Sequence, residues 1–531
     1  MENIKKNIPA LGALALMGFA LSCGGQKQQA PVKDTVVYSY PSNAGPVNPH
    51  QYSPSQMYAQ AMVYEGLVMG KDDGSIAPAL AERWDISSDG TVYTFHLRKG
   101  VTFSNGEAFN ADAVVKNFKA VMGNAADHDW LGLVDKIESY EAPAPLEFRL
   151  TLKSAYYPLL DDLALVRPFR FLSPNSFPDD GNTANSIKAP VGTGPWKLAE
   201  TKLGEYDVFE RNETYWGGKP KAAKVIVKVI PDPVSRALAF ESGEIDLIYG
   251  RGQIHYDIFN RFKNTQGVSA AISQAMGTVC VALNSAQGPT KELAVRRALQ
   301  HVTNKAEIIS GVTLNTQIPA ETYFAPTVPY CNVNLTPYAY DLSKAAALLD
   351  EAGWVLPEGS RIREKNGEPL SIDFCFVGNN AAEKAAAEMM QGQALACGIR
   401  LNLLGEEEDS FYTRQNSGEF GMIFNDTWGP PYEPHAMVSS MLVPAHADYK
   451  AQIGLPMKKE LDQAIRAVFV TTDTAERRRL YTDILTTLHD QAVYVPLYHM
   501  TMFEVHKSAV LKGVRFGPDT SFIPFQDIAL E

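Results

Sequence analysis

The chain has 531 residues, 45% hydrophobic and 20% charged, a mix that builds packed cores and excludes global disorder. Single cores stop growing near ~250–300 residues, so about two large lobes are expected. The formal charge of −12 excludes a basic nucleic-acid footprint. The five cysteines (Cys23, Cys280, Cys331, Cys375 and Cys397) form no CxxC pair, which excludes a disulfide scaffold or a zinc ribbon.

Residues 1–22 read as an export signal. Lys5 and Lys6 form a basic start, and an apolar stretch runs from Ile8 to Ser22, short for a membrane span of ~20 residues. It ends in Ala20-Leu21-Ser22-Cys23-Gly24, which resembles a bacterial lipoprotein box with Cys23 as the lipidated residue. Ala20 stands where the commonest box has Leu, and the alternative is an ordinary signal peptide with a chance cysteine. The polar run after Cys23 makes residues 23–34 a flexible tether. Loss of Lys5, Lys6 and Glu2 with the signal turns −12 into −13. No later segment is long and apolar enough to span a membrane. The body is expected to be a soluble domain held near a membrane, outside the cytosol.

No repeat of solenoid or propeller period is present. Val36–Tyr40 reads as a first strand. Thr91–Leu97 alternates Val92, Thr94 and His96 with Tyr93, Phe95 and Leu97, and Lys99-Gly100 is expected to turn it into a hairpin with Val101–Phe103. Asn105-Gly106 makes a further turn. Asn110 then caps a helix from Ala111 to about Met122. Lys224–Ile230, Val234–Glu241 and Ile245–Tyr249 form a β-α-β unit with Gly243 as the helix stop. Val279–Leu283 is a strand, and Lys291–Val302, Ala306–Ile309 and Asp341–Ala352 are helical. Ile372–Val377, Ala381–Cys397 and Leu401–Leu404 form a second β-α-β unit. A long helix, Thr474–Gln491, follows a capping Asp473 and leads into a strand at Val493–Leu497. The fold class is α/β throughout.

Several segments are similar to the extracellular solute-binding proteins (family 5) of peptide/nickel ABC importers. They are the run from Asp89 to Arg98 continuing through Phe103-Ser104-Asn105-Gly106, the turn Gly192-Thr193-Gly194-Pro195-Trp196, Asn212–Trp216, Arg236–Gly243 and Ala294–Leu299. Longer segments resemble the nickel-binding members: Gly45–Tyr52, Lys153–Pro158, Arg167–Phe171, Ile362–Gly367, and Phe420–Phe424 through Trp428-Gly429, Tyr432 and Pro434-His435 to His446-Ala447-Asp448. The resemblance implies a two-lobed, periplasmic-binding-protein-like fold with an extended first lobe and ligand in the cleft. On that basis lobe I is expected at 35–276 and 493–531, and lobe II at 277–492.

Nickel(II) favours imidazole nitrogen and oxygen donors. The ten histidines show no HExxH, and His435 and His446 are eleven apart rather than on one helical face. The resemblance therefore implies that a small organic chelator, such as histidine, supplies most of the ligands. One protein imidazole, at the position of His446, would complete the shell. His435 and His50 are weaker candidates, each open to a buried structural role. Arg167 matches an arginine that holds the chelator's carboxylate, a pairing favoured by the geometry of guanidinium and carboxylate; the alternative is an ion pair with Asp161 or Asp162. Tyr52, Met57, Trp130, Trp428 and Tyr432 match the aromatic and thioether lining of that cleft. Asp127 departs from the pattern, standing where the nickel-binding members can carry a second arginine.

The resemblance implies no enzyme. It implies a lipid-anchored receptor in the periplasm or at the cell surface, whose partners are a membrane permease and, through it, cytoplasmic ATPases. A di- or oligopeptide receptor is the alternative within the family, with Asp426 placed to take a peptide amine. A metallohydrolase would need GxSxG, HExxH or a Cys-His pair, and none is present.

Overall fold

The computed structural model describes residues 34–52 and 57–531. The export signal, Cys23 and the tether up to residue 33 lie outside the described residues.

Three sheets carry the fold. The first has seven strands, ordered Val268–Ile272, Phe503–Lys507, Leu247–Gly250, Thr35–Tyr40, Lys224–Val229, Tyr206–Arg211 and Trp196–Lys202. Thr35–Tyr40 runs parallel to both of its neighbours, and the remaining pairings are antiparallel. The expected β-α-β unit supplies two of these strands. Its helix, Pro233–Ser242, begins at Asp232, whose side chain accepts from the Ser235 N–H, and ends at Gly243 with φ of 82°. That left-handed residue is one glycine adopts freely.

The second sheet has six strands, ordered Ile318–Pro319, Tyr494–His499, Thr278–Leu283, Met422–Asp426, Ser371–Val377 and Arg400–Glu406. Ser371–Val377 and Arg400–Glu406 are parallel, joined by the helix Ala381–Ala396, as the second β-α-β reading requires. All six residues of Thr278–Leu283 are buried, because helices cover both faces of this sheet.

The third sheet is antiparallel, ordered Ala81–Ile86, Val92–Leu97, Glu147–Leu152 and Ile137–Ala144. Tyr93, Phe95 and Leu97 are buried and their alternates half-buried, as the period of two predicts. The helix Ala111–Gly123 packs on this sheet through Phe118, 4.8 Å from the Phe148 ring and 4.6 Å from Phe169. Phe169 thus ties the segment around Arg167 to a fixed core.

Two local expectations are corrected. Val101–Phe103 does not pair with Thr91–Leu97, because Val92–Leu97 already has Ala81–Ile86 on one edge and Glu147–Leu152 on the other. Thr102 bridges only to Ala108, across the Asn105-Gly106 turn. The return to the first sheet also comes later than 493. Tyr494–His499 pairs with Thr278–Leu283 in the second sheet, and Phe503–Lys507 is the strand that rejoins the first. The two passages between the sheets run side by side: Met276 N–H donates to the Met500 carbonyl at 2.7 Å, and Met500 N–H to Gly277 at 2.8 Å.

The family-signature residues prove to be scaffold. Half-buried Glu65 accepts from Thr193 Oγ1, Tyr215 Oη and Trp216 Nε1, each at 2.8 Å. Arg236 is buried and donates to the carbonyls of Gln253 and Ile230. Cys280, Cys331, Cys375 and Cys397 are buried free thiols. Among the described residues no helix is long and apolar enough to cross a membrane.

Candidate functional site

Arg167 lies just beyond the short helix Leu159–Ala164. Its residue is 6% exposed, and its guanidinium is clamped between two rings, 3.6 Å from the centre of Tyr52 and 4.5 Å from that of Trp130. Such stacking suits the flat, weakly hydrated guanidinium. Its Nε has no hydrogen-bond partner among the described residues. Burial pushes its pKa below the ordinary value, with Tyr432 and Tyr52 opposing. The turn carrying it is fastened by Arg170, which donates from Nε to the Leu165 carbonyl and from Nη2 to that of Ala164, both at 2.6 Å. These are carbonyls at a helix end, where a cation is favoured.

Of the alternative partners of Arg167, Asp162 is engaged elsewhere. Asp162 accepts from Tyr156 Oη and from His435 Nε2, each at 2.9 Å. His435 is fully buried in this pair. Burial works against its charge, but the hydrogen bond and charge of Asp162, with help from Asp161, outweigh burial and raise its pKa. His50 is also committed, with Nδ1 at 2.8 Å from Thr183 Oγ1 and Nε2 at 3.0 Å from Asn117 Oδ1. Burial drives its pKa down to about 4. Both histidines are structural.

His446 differs from them. It is half-buried and opens the short helix Ala447–Gln452. Its ring meets Trp428 edge-on at 6.0 Å. Asp448, two residues on, is buried and holds the loop, accepting from Tyr323 Oη at 2.7 Å, Tyr494 Oη at 2.8 Å and Asn425 Nδ2 at 3.1 Å. Burial raises the pKa of Asp448 against those hydrogen bonds.

Trp428 sits on a loop pinned at both flanks. Thr427 exchanges two bonds with the Thr278 backbone, at 2.8 and 2.9 Å. Gly429 N–H donates to buried Glu433 at 2.8 Å. Gly429 has φ of 75°, and a Cβ there would fall 1.9 Å from the Met276 carbonyl oxygen, so the chain passes only as glycine. From Trp428 a line of rings continues to Tyr432 at 6.4 Å and on to Trp130 at 6.5 Å, which stacks on Arg167. The structure thus joins Arg167, Tyr52, Trp130, Tyr432, Trp428 and His446 in one continuous chain of contacts.

Two cavities flank Trp428. One, of about 270 Å³, is lined by Met57, Met276, Met500 and Arg251 among others; the Met57 thioether accepts from Ser521 Oγ at 3.7 Å. The other, of about 440 Å³, is lined by His446, Asp426, Glu383, Tyr412 and Asn425. Burial pushes the Glu383 pKa up to about 7. Among the described residues no three His, Cys, Asp or Glu side chains are grouped to hold a metal ion. His128, next to Asp127, is buried with no partner for Nδ1 among the described residues, and burial lowers its pKa.

Sequence reasoning missed the roles of Arg170, Asp162 and Asp448, as well as the contact between Arg251 and Asp426. Only Arg170 left a local signal, a cation just past a short helix.

Residues 75–449 match the bacterial extracellular solute-binding proteins, family 5. The chain belongs to this family. Its members bind solutes rather than transform them. The chain is 50% identical over 509 residues to the nickel-binding periplasmic protein of Escherichia coli (strain K12), spanning 96% of this chain and 97% of that protein. It resembles the crystal structure of NikA from Brucella suis in complex with Fe(III)-EDTA at 52% identity and a TM-score of 0.90, over 94% of this chain and 100% of that one. A more distant relative is the dipeptide-binding protein of E. coli (strain K12), 26% identical over 91% of this chain and 92% of that protein. The two-lobed α/β fold is that of the family.

Proposed function

We propose that this chain is the substrate-binding lipoprotein of a nickel ABC importer. It captures a nickel–chelator complex in the cleft between its lobes and delivers it to the permease. The observation that carries this reading is the pairing of an aromatic-clamped Arg167 with a separate accessible imidazole, His446, along one wall of rings. A single imidazole leaves most of the coordination shell to the cargo. Arg167 receives a chelator carboxylate through its fork, and the rings of Tyr52, Trp130, Trp428 and Tyr432 cover the planar faces of the chelate. Met57 lines the adjoining cavity. Relatives that bind nickel or hold a metal chelate support the same reading. Histidine fits as chelator, bringing carboxylate, amine and imidazole together.

Lobe I comprises the first and third sheets, up to about residue 276 and again from about 503. Lobe II comprises the second sheet. Closure around the chelate is driven only by its extra affinity for the closed form, and the permease reads the resulting lobe geometry. The receptor works in the periplasm, with Cys23 as its lipid anchor. Native mass spectrometry of the receptor purified without denaturation tests the ligand class. A nickel chelate mass is expected, and a peptide mass would overturn the assignment.

A further inference from the structure

The strand Met422–Asp426 ends two residues before Trp428, and the Asp426 carboxylate lines the same cavity as His446. A carboxylate beside an accessible indole is a natural receiver for a protonated amine, which gains a charge-assisted hydrogen bond and a cation–π contact together. In this chain the carboxylate is already engaged. Arg251 follows the strand Leu247–Gly250 of the first sheet and donates from Nη2 to Asp426 Oδ2 at 2.9 Å. The bond therefore runs from the first sheet to the second. Arg251 lines the cavity on the Met57 side of Trp428, and Asp426 lines the one on the His446 side.

The pair is not part of the core. The side chains are 55% and 38% exposed, and an exposed ion pair adds little to stability. Glu383, Tyr256, Tyr498, Tyr412 and Cys280 interact electrostatically with the pair, none of them a cation, and His446 lines the same cavity as Asp426. The consequence of the pair falls on the cleft: its carboxylate is neutralised before any ligand arrives.

We infer that Arg251 is a specificity-determining residue, which occupies Asp426 and so rejects ligands that offer a protonated amine, short peptides above all. A metal chelate escapes this discrimination. An amino acid bound to nickel through its amine has given up the ammonium proton, and needs only the Arg167 and His446 subsites. The inference rests on the cleft being the ligand site and narrows its substrate class.

The test compares wild type, Arg251→Met and the double variant Arg251→Met/Asp426→Asn of the full chain by calorimetry. The probes are the dipeptide Ala-Ala, N-acetyl-Ala-Ala and nickel with free histidine. Arg251→Met should bind Ala-Ala more tightly than wild type, by up to about fivefold, the worth of one exposed ion pair to be displaced. The gain should vanish with the acetylated peptide and in the double variant, and in Arg251→Met it should exceed any change in nickel–histidine affinity. Equal Ala-Ala affinity in wild type and Arg251→Met would overturn the inference. So would a gain that survives acetylation or loss of the carboxylate. Arg251→Gln, paired with a thermal melt, repeats the comparison should the methionine variant fold poorly. Absence of nickel–histidine binding in wild type would sink the chelate reading alone; absence of the Ala-Ala gain would sink only the role of Arg251.

Discussion

Arg167 and His446 belong to the same wall of rings but are held in opposite ways. Arg167 is almost fully buried, clamped by Tyr52 and Trp130, and its turn is fastened by Arg170. His446 is half-buried at the start of a six-residue helix, and the structure braces its loop through Asp448 rather than through the imidazole itself. An anion receptor gains from being desolvated and oriented beforehand, since the pairing is then little screened. A metal donor must instead keep a lone pair free until the metal arrives. On the proposed reading, the two regions divide the work of recognition accordingly.

Arg167→Ala attacks the prearranged side and should have the largest effect. It strips a buried partner from the chelator carboxylate, a loss of about 2–5 kcal/mol in chelate affinity by calorimetry. A loss below about tenfold would place the guanidinium outside the ligand contact. Arg167→Lys should fall between, since it keeps charge but loses the planar fork. His446→Ala attacks the free side. Metal affinity should fall by at least about 10–100-fold, the cost of losing even an outer-shell partner, with an unchanged melting temperature because no buried bond is lost. A fall in melting temperature comparable to that of a core variant would make His446 structural.

His435, eleven residues before His446, is the internal control. Its pKa is raised by the pair with Asp162. The stability it contributes is fully present below the unfolded value, ~6.5, and is lost as pH rises through the higher folded value. The melting temperature should therefore drop as pH rises from about 6.5 through the higher folded value, and that drop should shrink in His435→Gln. An unchanged pH profile in the variant would show that the pair carries no charge. The smallest effect is expected from Asp127→Arg. A cation on the exposed segment beside His128 should tighten binding of an anionic chelate by no more than about 1 kcal/mol, read from titrations at low and high salt.

Local structure was legible where periodicity and caps agree. Ala111–Gly123 and Thr474–Asp490 begin at Asn110 and Asp473, as capping predicts. The hairpin at Val101–Phe103 and the return at 493 were misread because strand pairing is non-local. Nothing in Val92–Leu97 announces that both of its edges are taken by Ala81–Ile86 and Glu147–Leu152. At the site, resemblance pointed to Arg167 and the rings, but it could not show contacts as distant in sequence as that between Trp130 and Tyr432. The same holds for Asp162 with His435 and Arg251 with Asp426, separated by 273 and 175 residues. Such pairs become visible only when the sheets bring them together.

The most direct test of the central claim is a calorimetric titration of the purified receptor with nickel, with and without free histidine. Saturable binding with histidine present, and far weaker binding of the bare ion, is the predicted result. No heat in either form would contradict the claim that this cleft receives a nickel chelate.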